Sequence, residues 1–441
     1  MKKKMKNTPV STTSRLILIK LTCLINDPKF VEKHKKNSKD FIRDRILTFK
    51  IVILFLINVL KDSVQSEIDD FFARKELSDT KIHKVTNSAF TQARAKLNYT
   101  AFIEMNQLQI DLFYQNAEFQ TWYGYRLVAI DGSTLYLPST EETQKEFGVS
   151  EITEEGKKIV LSRISEAFDP LNHIIIDACI GPFRVSEHDM MLQHLKQMSN
   201  GDLAIYDRNY PGFWIYKIHQ SKCINFCMRI QINSRGKFIE DFVASGKMET
   251  IVEVGCNTRE AKQKCTELGL DTESIKCRLI RIDLKSGETE VLITSLLNME
   301  LYPYECFRAL YHLRWSIEED YKFMKQRIEL GNFSGKTTEA IYQDFYAKVF
   351  MANLTSILAF DAAAELKKKK AKKKHNYKIN WNNAIQNMKK SGFLLFIREN
   401  FMEILHKLHL LFLVNPVAFR PERTFVRNIN KRKKHFSMCY K

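Results

Sequence analysis

The sequence predicts an α/β protein: a mixed sheet with flanking helices, interrupted by a β-rich insertion and framed by helical N- and C-terminal regions. Three observations carry this expectation. Apolar residues recur at three-and-four spacing over residues 15–120 and again after Pro303. Between those stretches, short β-branched runs end in Asp, Gly, Pro or Asn. A chain of 441 residues is also long enough to bury two or three cores.

The helical pattern of the N-terminal region runs through Phe41, Ile46, Phe49, Ile53 and Ile57, then Ile68, Phe71 and Phe72. Thr86 to Leu97 opens with N-cap residues and carries Gln92, Arg94 and Lys96, which suits either a helix laid against DNA or an ordinary solvated face. After Tyr125 the period changes. Leu127 to Ile130 reads as a strand running into Asp131-Gly132-Ser133, and Lys158 to Phe168 and His173 to Ile180 complete a three-strand meander around the turn at Asp169-Pro170. Ser186 and Asp189 have capping-box spacing and open a helix. A strand from Leu203 to Tyr206 ends at Asp207, a helix follows Pro211, and Ile224 to Ile230 is a further strand. Five glycines punctuate short β runs over 232–300, the expected insertion. The expected domains are therefore 1–120, helical and basic, with Thr86 to Leu97 as its candidate DNA-facing helix; 121–231 with 303–360, the α/β core; 232–302, the insertion; and 361–441, helical and basic.

The formal charge of +18 is unevenly placed, with +10 on residues 1–50, +15 on residues 361–441 and −7 between them. Basic flanks around an acidic centre suit a polyanion held outside a carboxylate site, and equally suit two solvated tails. The apolar window Ile51 to Leu60 is about half of a membrane span, and no signal-peptide pattern follows the basic start, so a cytoplasmic protein without membrane contact is expected. Nine cysteines without a CxxC pair read as reduced thiols. Gly331 to Thr337 imitates a phosphate-binding loop but has three residues between its glycines where four are needed, so no ATP requirement is expected.

Phosphodiester chemistry with two divalent metals needs several carboxylates from separate elements. Asp131 and Asp207 follow strands, and Glu318 lies on a helix among cations. At about 100° per residue, with Tyr311 at zero, Arg314 falls near 300°, Glu318 near 340° and Lys325 near 320°, while Glu319 and Asp320 turn away. One face then carries a phenol, a guanidinium, a carboxylate and an ammonium. A salt-bridged surface helix has the same appearance.

Tyr311, Arg314, Glu318 and Lys325 also match the YREK signature, and this chain resembles the bacterial insertion-sequence transposases of the family typed by insertion sequence four. Ala129-Ile-Asp131-Gly-Ser, Tyr206-Asp207-Arg-Asn-Tyr-Pro, Asn332-Phe-Ser-Gly-Lys-Thr337 and Gln343-Asp-Phe-Tyr346 extend the likeness over about 40–440. The resemblance implies a ribonuclease-H-like catalytic core interrupted by the β-rich insertion. It further implies a DDE transposase in which Asp131, Asp207 and Glu318 are catalytic and bind two Mg²⁺, with Mn²⁺ able to substitute. Tyr311, Arg314, Lys325 and Arg208 would meet DNA, the double-stranded terminal inverted repeats and target, in a homodimeric complex. Asn209 stands where relatives often carry Gly, and no Trp lies within 232–300, although Phe238 or Phe242 could stack on a flipped base. A related nuclease or resolvase, and a silent DNA-binding remnant, remain alternatives.

Overall fold

A computed structural model describes residues 12–43, 45–58, 60–232, 237–284, 287–370 and 376–419. The basic tail segment 431–434, whose composition suits DNA phosphates and a solvated tail equally, lies outside them, as do residues 371–374 of the lysine run 367–374, which reads the same way. The chain divides into two compact units: Met1–Phe119, Leu135–Ser162 and Phe323–Lys441 form one, and Gln120–Thr134 with Arg163–Lys322 form the other. The expected boundary at 360 falls inside a 33-residue helix, Thr338–Lys370, because its apolar pattern runs unbroken across that point.

The second unit is built on a mixed sheet. Its strands are β1 (Arg126–Leu137), β2 (Glu151–Ile152), β3 (Lys158–Asp169), β4 (Ile174–Pro182), β5 (Asp202–Tyr206), β6 (Asn225–Ile230), β7 (Glu249–Val254), β8 (Ile275–Asp283) and β9 (Thr289–Thr294). The two-residue β2 pairs antiparallel with the first residues of β3, which belong with it to the first unit. Strand β4 pairs with β3, and the order then continues β3-β1-β5-β6. Strands β1, β5 and β6 run parallel, with Ala129 opposite Ile205 and Ile205 opposite Cys227. All five residues of β5 are buried, as expected of a parallel strand covered on both faces. This is the mixed sheet with flanking helices that the sequence predicts.

Two expectations change here. Asp131 does not end its strand: β1 continues to Leu137, because neighbouring β3 keeps the Asp-Gly-Ser segment extended where its composition suggests a turn. The 232–302 insertion supplies β7, β8 and β9, and β9 pairs antiparallel with β6, so these strands prolong the same sheet. Two helices, Lys237–Ala244 and Arg259–Glu267, accompany them. Phe242 is buried on the first of these and not presented to a base, whereas Phe238 is half-buried.

The core of this unit joins Leu127, Leu203, Ile205, Cys227, Leu292, Phe307 and Leu310. Behind β5, fully buried His219 sits between two partners: its Nδ1 is 2.8 Å from the Ile215 carbonyl and its Nε2 2.9 Å from the Tyr206 hydroxyl. A carbonyl can only accept, so the neutral ring carries its proton on Nδ1 and accepts from Tyr206 at Nε2. Burial, partly offset by the Ile215 carbonyl, lowers its pKa to about 4. The unfolded chain therefore binds the extra proton first as pH falls, and stability is lost between about pH 6.5 and 4, by up to about 3 kcal/mol. His219→Gln should flatten that part of the stability profile in urea unfolding; an unchanged slope would assign the acid lability to other groups.

The first unit is helical around Thr338–Lys370. By length and composition that helix could cross a membrane, which the reading of Ile51 to Leu60 overlooked, but 67% of its most apolar window is buried inside the protein, as in a core helix. Helices Thr100–Asn116, Trp381–Ser391 and Phe401–Phe412 pack on it. The helical reading through Phe41 and Ile46 gives way to a loop, and the helix Phe49–Leu56 begins where the Thr48 side chain accepts from the Ile51 N–H.

Arg94 also departs from a DNA-facing role. It is buried, donating to Gln343 Oε1 (2.9 Å), Ser334 Oγ (2.7 Å), the Ala340 carbonyl (3.1 Å) and Asp344 Oδ1 (2.9 Å). The conspicuous segment around Ser334 and Gln343-Asp344 is thus a socket for one arginine. Arg94→Met should cost about 3–5 kcal/mol, since it strands a buried carboxylate. A urea midpoint equal to that of the parent would show that this ion pair does not hold the unit together.

Candidate active site

Continuing the β1–β5 register by two residues sets Asp131, still within β1, opposite Asp207, the residue after β5, just past the last paired residues Ala129 and Ile205. Asp131 is held from both sides. Its Oδ1 accepts from the Gly132 N–H at 2.8 Å, and its main-chain carbonyl accepts from Ser165 Oγ (3.0 Å) and from the Tyr321 hydroxyl (2.8 Å). Ser165 is in turn 2.9 Å from His194 Nε2, and His194 Nδ1 is 2.7 Å from Asp177. This Ser-His-Asp order is a strut, because Ser165 and His194 are fully buried.

Asp207 sits in a local turn in which its Oδ1 accepts from the Asn209 N–H at 2.8 Å. Asn209 is not among the residues with positive φ, so replacing a glycine there requires no left-handed backbone. Arg208, beside it, is exposed.

Tyr311 to Lys325 does not form one continuous helix. The helix Cys306–His312 stops, Leu313 and Arg314 make a tight turn, and a second helix runs Trp315–Gln326. The Arg314 N–H bonds the Tyr311 carbonyl and the Ile317 N–H bonds the Arg314 carbonyl, three-residue spacings that tighten the backbone. Arg314 and Glu318 still meet: Nη2 donates to Glu318 Oε1 at 3.0 Å, while Nη1 lies 3.9 Å from Asp131 Oδ2. The guanidinium is buried over the Trp315 ring, 4.6 Å from its centroid, and stands between the two carboxylates. Tyr311 differs from expectation. It is 4% exposed and belongs to the core cluster, with its ring 5.9 Å from the Arg314 guanidinium carbon, so it supports the arginine from below and does not present its hydroxyl to DNA. Lys325 occupies the last turn of the second helix.

Four groups that spacing did not single out complete the surroundings. Tyr321 and Ser165 hold Asp131 as described. Glu166 on β3 and Asp320 on the Glu318 helix are buried acids that interact with each other, and burial raises the Asp320 pKa above the usual carboxylate range. Only the helix position of Tyr321, three residues after Glu318, offered a signal for any of them.

The electrostatics call for a cation. Burial raises the Asp131 pKa to about 6; the Gly132 N–H and Arg314 pull it down, and the charges of Asp207 and Glu187 push it up. An anion destabilised by two neighbouring acids gains from any cation that joins Arg314. The donors are all carboxylate oxygens, the ligand type that hard divalent ions take. Among the described residues no three acids, imidazoles or thiols already stand at ligating distance. The site thus fits a divalent ion by donor chemistry and charge.

Comparison with known proteins bears on the family. Over 287 residues the chain is 23% identical to the transposase InsG for insertion sequence element IS4 of Escherichia coli (strain K12), an alignment covering 64% of this chain and 63% of that protein. The chain thus spans less than two thirds of the length of this curated relative. A solved piggyBac transposase synaptic complex with hairpin DNA aligns over 92% of this chain and 87% of its own, at 12% identity and a TM-score of 0.46. The Transposase DDE domain matches residues 122–354, which include Asp131, Asp207, Arg314 and Glu318, and the chain belongs to that DDE transposase family.

Proposed function

We propose that this protein is a DNA transposase that cuts the ends of its own insertion sequence and joins them to target DNA, with Asp131, Asp207 and Glu318 as its catalytic carboxylates. The observation that carries the reading is Arg314 bridging toward Asp131 and Glu318 inside the matched DDE domain, with Asp207 directly after the adjoining parallel strand. The substrates are double-stranded terminal inverted repeats and target DNA, and two ends are brought together by a homodimer.

Asp131, Asp207 and Glu318 would hold divalent ions, Mg²⁺ with Mn²⁺ as a substitute. When bound, such ions supply Lewis acidity at a phosphodiester and lower the pKa of an attacking water. The protein's own groups do the rest. The struts from Ser165 and Tyr321 fix Asp131, so its carboxylate needs little reorganisation. Arg314, desolvated and carried on a tight turn, offers its guanidinium to negative charge on phosphate oxygens. Exposed Arg208 next to Asp207 suits a backbone phosphate contact, as does Lys325 further along the Glu318 helix.

The test uses inverted repeats found in the DNA flanking the gene. A duplex ending in such a repeat should be cut at the repeat in the presence of Mg²⁺ and not with EDTA, and a pre-cut end should be joined to a second duplex. Cutting without joining would make the protein a nuclease. Binding without cutting would make it a DNA-binding remnant.

A further inference from the structure

We propose that His194 is a positioning residue for Asp131 that acts as an imidazolium, one ring nitrogen bound to Asp177 and the other turning the Ser165 hydroxyl toward the Asp131 carbonyl. This rests on the reading of Asp131 as a catalytic carboxylate, and adds a proton requirement at a residue outside the carboxylate set.

The protons along this chain of contacts can be counted. The Asp131 main-chain carbonyl only accepts, so the Ser165 hydroxyl gives it its single proton, at 3.0 Å. Ser165 Oγ then has only lone pairs to offer His194 Nε2, 2.9 Å away, and that nitrogen must carry a hydrogen. Nδ1 faces Asp177 Oδ2 at 2.7 Å, the length of a charge-assisted bond to a group that also only accepts. An acceptor at each nitrogen fits the doubly protonated ring. His219 is the contrast, because its Nε2 meets a hydroxyl that donates to it and one proton suffices.

The surroundings suit the charge. His194 closes the helix Glu187–His194, where the helix dipole favours a cation. The ring is fully buried, whereas the Asp177 side chain keeps 27% exposure and so remains hydrated while it faces the ring. Asp177 and Cys179 reach the ring from β4 and Ser165 from β3. Cys179 Sγ, 3.8 Å from Nε2, is too weak a partner to replace the hydroxyl. Glu166 on β3 and Tyr321 on the Glu318 helix stand around that thiol, and burial keeps both the thiol and the phenol protonated. On the ring's own helix, Glu187 is paired with Arg163, and Asp189 accepts from the Ser186 hydroxyl. When the ring loses its second proton, Asp177 retains the Nδ1 hydrogen and Nε2 becomes an acceptor. The Ser165 hydroxyl then turns to Nε2 and releases the Asp131 carbonyl, leaving it to the Tyr321 hydroxyl.

The experiment is nuclear magnetic resonance of the full chain at rising pH, on one sample with ring-nitrogen-labelled histidine and one with carbonyl-labelled aspartate and amide-labelled glycine. Asp131-Gly132 is the chain's only Asp-Gly step, so the second sample gives a single carbonyl–amide signal that reads the Asp131 carbonyl directly. His194, identified by the signal missing from His194→Gln, should have both ring nitrogens protonated at neutral pH. As pH rises, Nε2 should lose its hydrogen and the Asp131 carbonyl signal should move with the same midpoint. In Ser165→Ala that carbonyl signal should stay still, and in Asp177→Asn the ring should already be singly protonated at neutral pH. If His194→Gln fails to fold, Asp177→Asn perturbs the same ring and supplies the identification. An unprotonated ring nitrogen in the parent at neutral pH overturns the proposal. So does a carbonyl signal that ignores the ring, or one that moves equally in Ser165→Ala. On a terminal-repeat duplex, the parent should cut roughly tenfold faster than Ser165→Ala at neutral pH, an advantage that shrinks toward parity above the midpoint. A protein that cuts with an advantage independent of pH refutes the relay alone. One that cuts nothing yet shows the linked signals refutes the transposase reading and leaves the relay standing.

Discussion

Glu318→Gln is expected to lower metal-dependent cutting of a terminal-repeat duplex by about ten-thousand-fold or more, with binding of that duplex nearly unchanged. The substitution keeps size and one hydrogen-bond acceptor for Arg314 Nη2, so the tight turn and the helix Trp315–Gln326 should persist. What is lost is the negative charge that complements a divalent ion. Gel-shift and end-cleavage assays on the same preparation separate the two effects. Undiminished cutting would mean that another acid completes the site, and Asp320 is excluded from that role by its burial against Glu166.

Arg314→Ala is expected to lower end cleavage by about a thousand-fold, the scale of losing an arginine aimed at transferring phosphate. It should also destabilise the protein. The guanidinium is the cation beside both Asp131 and Glu318, and its removal leaves two carboxylates near Asp207 and Glu187 without that compensation. Arg314→Lys retains the charge but loses the fork that reaches two acids at once, so an intermediate activity is expected. Thermal unfolding of both variants separates the contributions. If alanine and lysine variants cleave equally poorly while only the alanine variant melts early, the catalytic contribution is the planar geometry and the stabilising contribution is the charge. Cleavage retained in a stable alanine variant would make Arg314 a structural ion-pair residue.

Local pattern made much of this molecule legible. A β-branched run followed by an acid marked both Asp131 and Asp207 beside buried parallel strands, although only Asp207 stands where its strand ends. The four-residue spacing of Arg314 and Glu318 survived even the break between their helices, because a tight turn changes the backbone hydrogen bonds without turning residue 314 away from residue 318. The Ser186 cap announced its helix in the same way.

Other features were not legible for a common reason. Arg94 reads as a surface residue until Gln343 and Asp344, some 250 positions away, close around it. Tyr311 looks like a phosphate ligand on a helical wheel, but the core formed with Leu127, Leu203 and Phe307 takes its ring. The insertion reads as a separate β unit, yet β9 finds an open edge at β6.

By itself the sequence determined the α/β class, the order of the elements, the acids at the ends of parallel pairing and the pairing of Arg314 with Glu318, all consequences of periodicity and short-range spacing. Only the tertiary structure decided which charged groups are buried and which aromatics belong to the core. Those outcomes depend on contacts between distant segments, where desolvation and packing outweigh local preference.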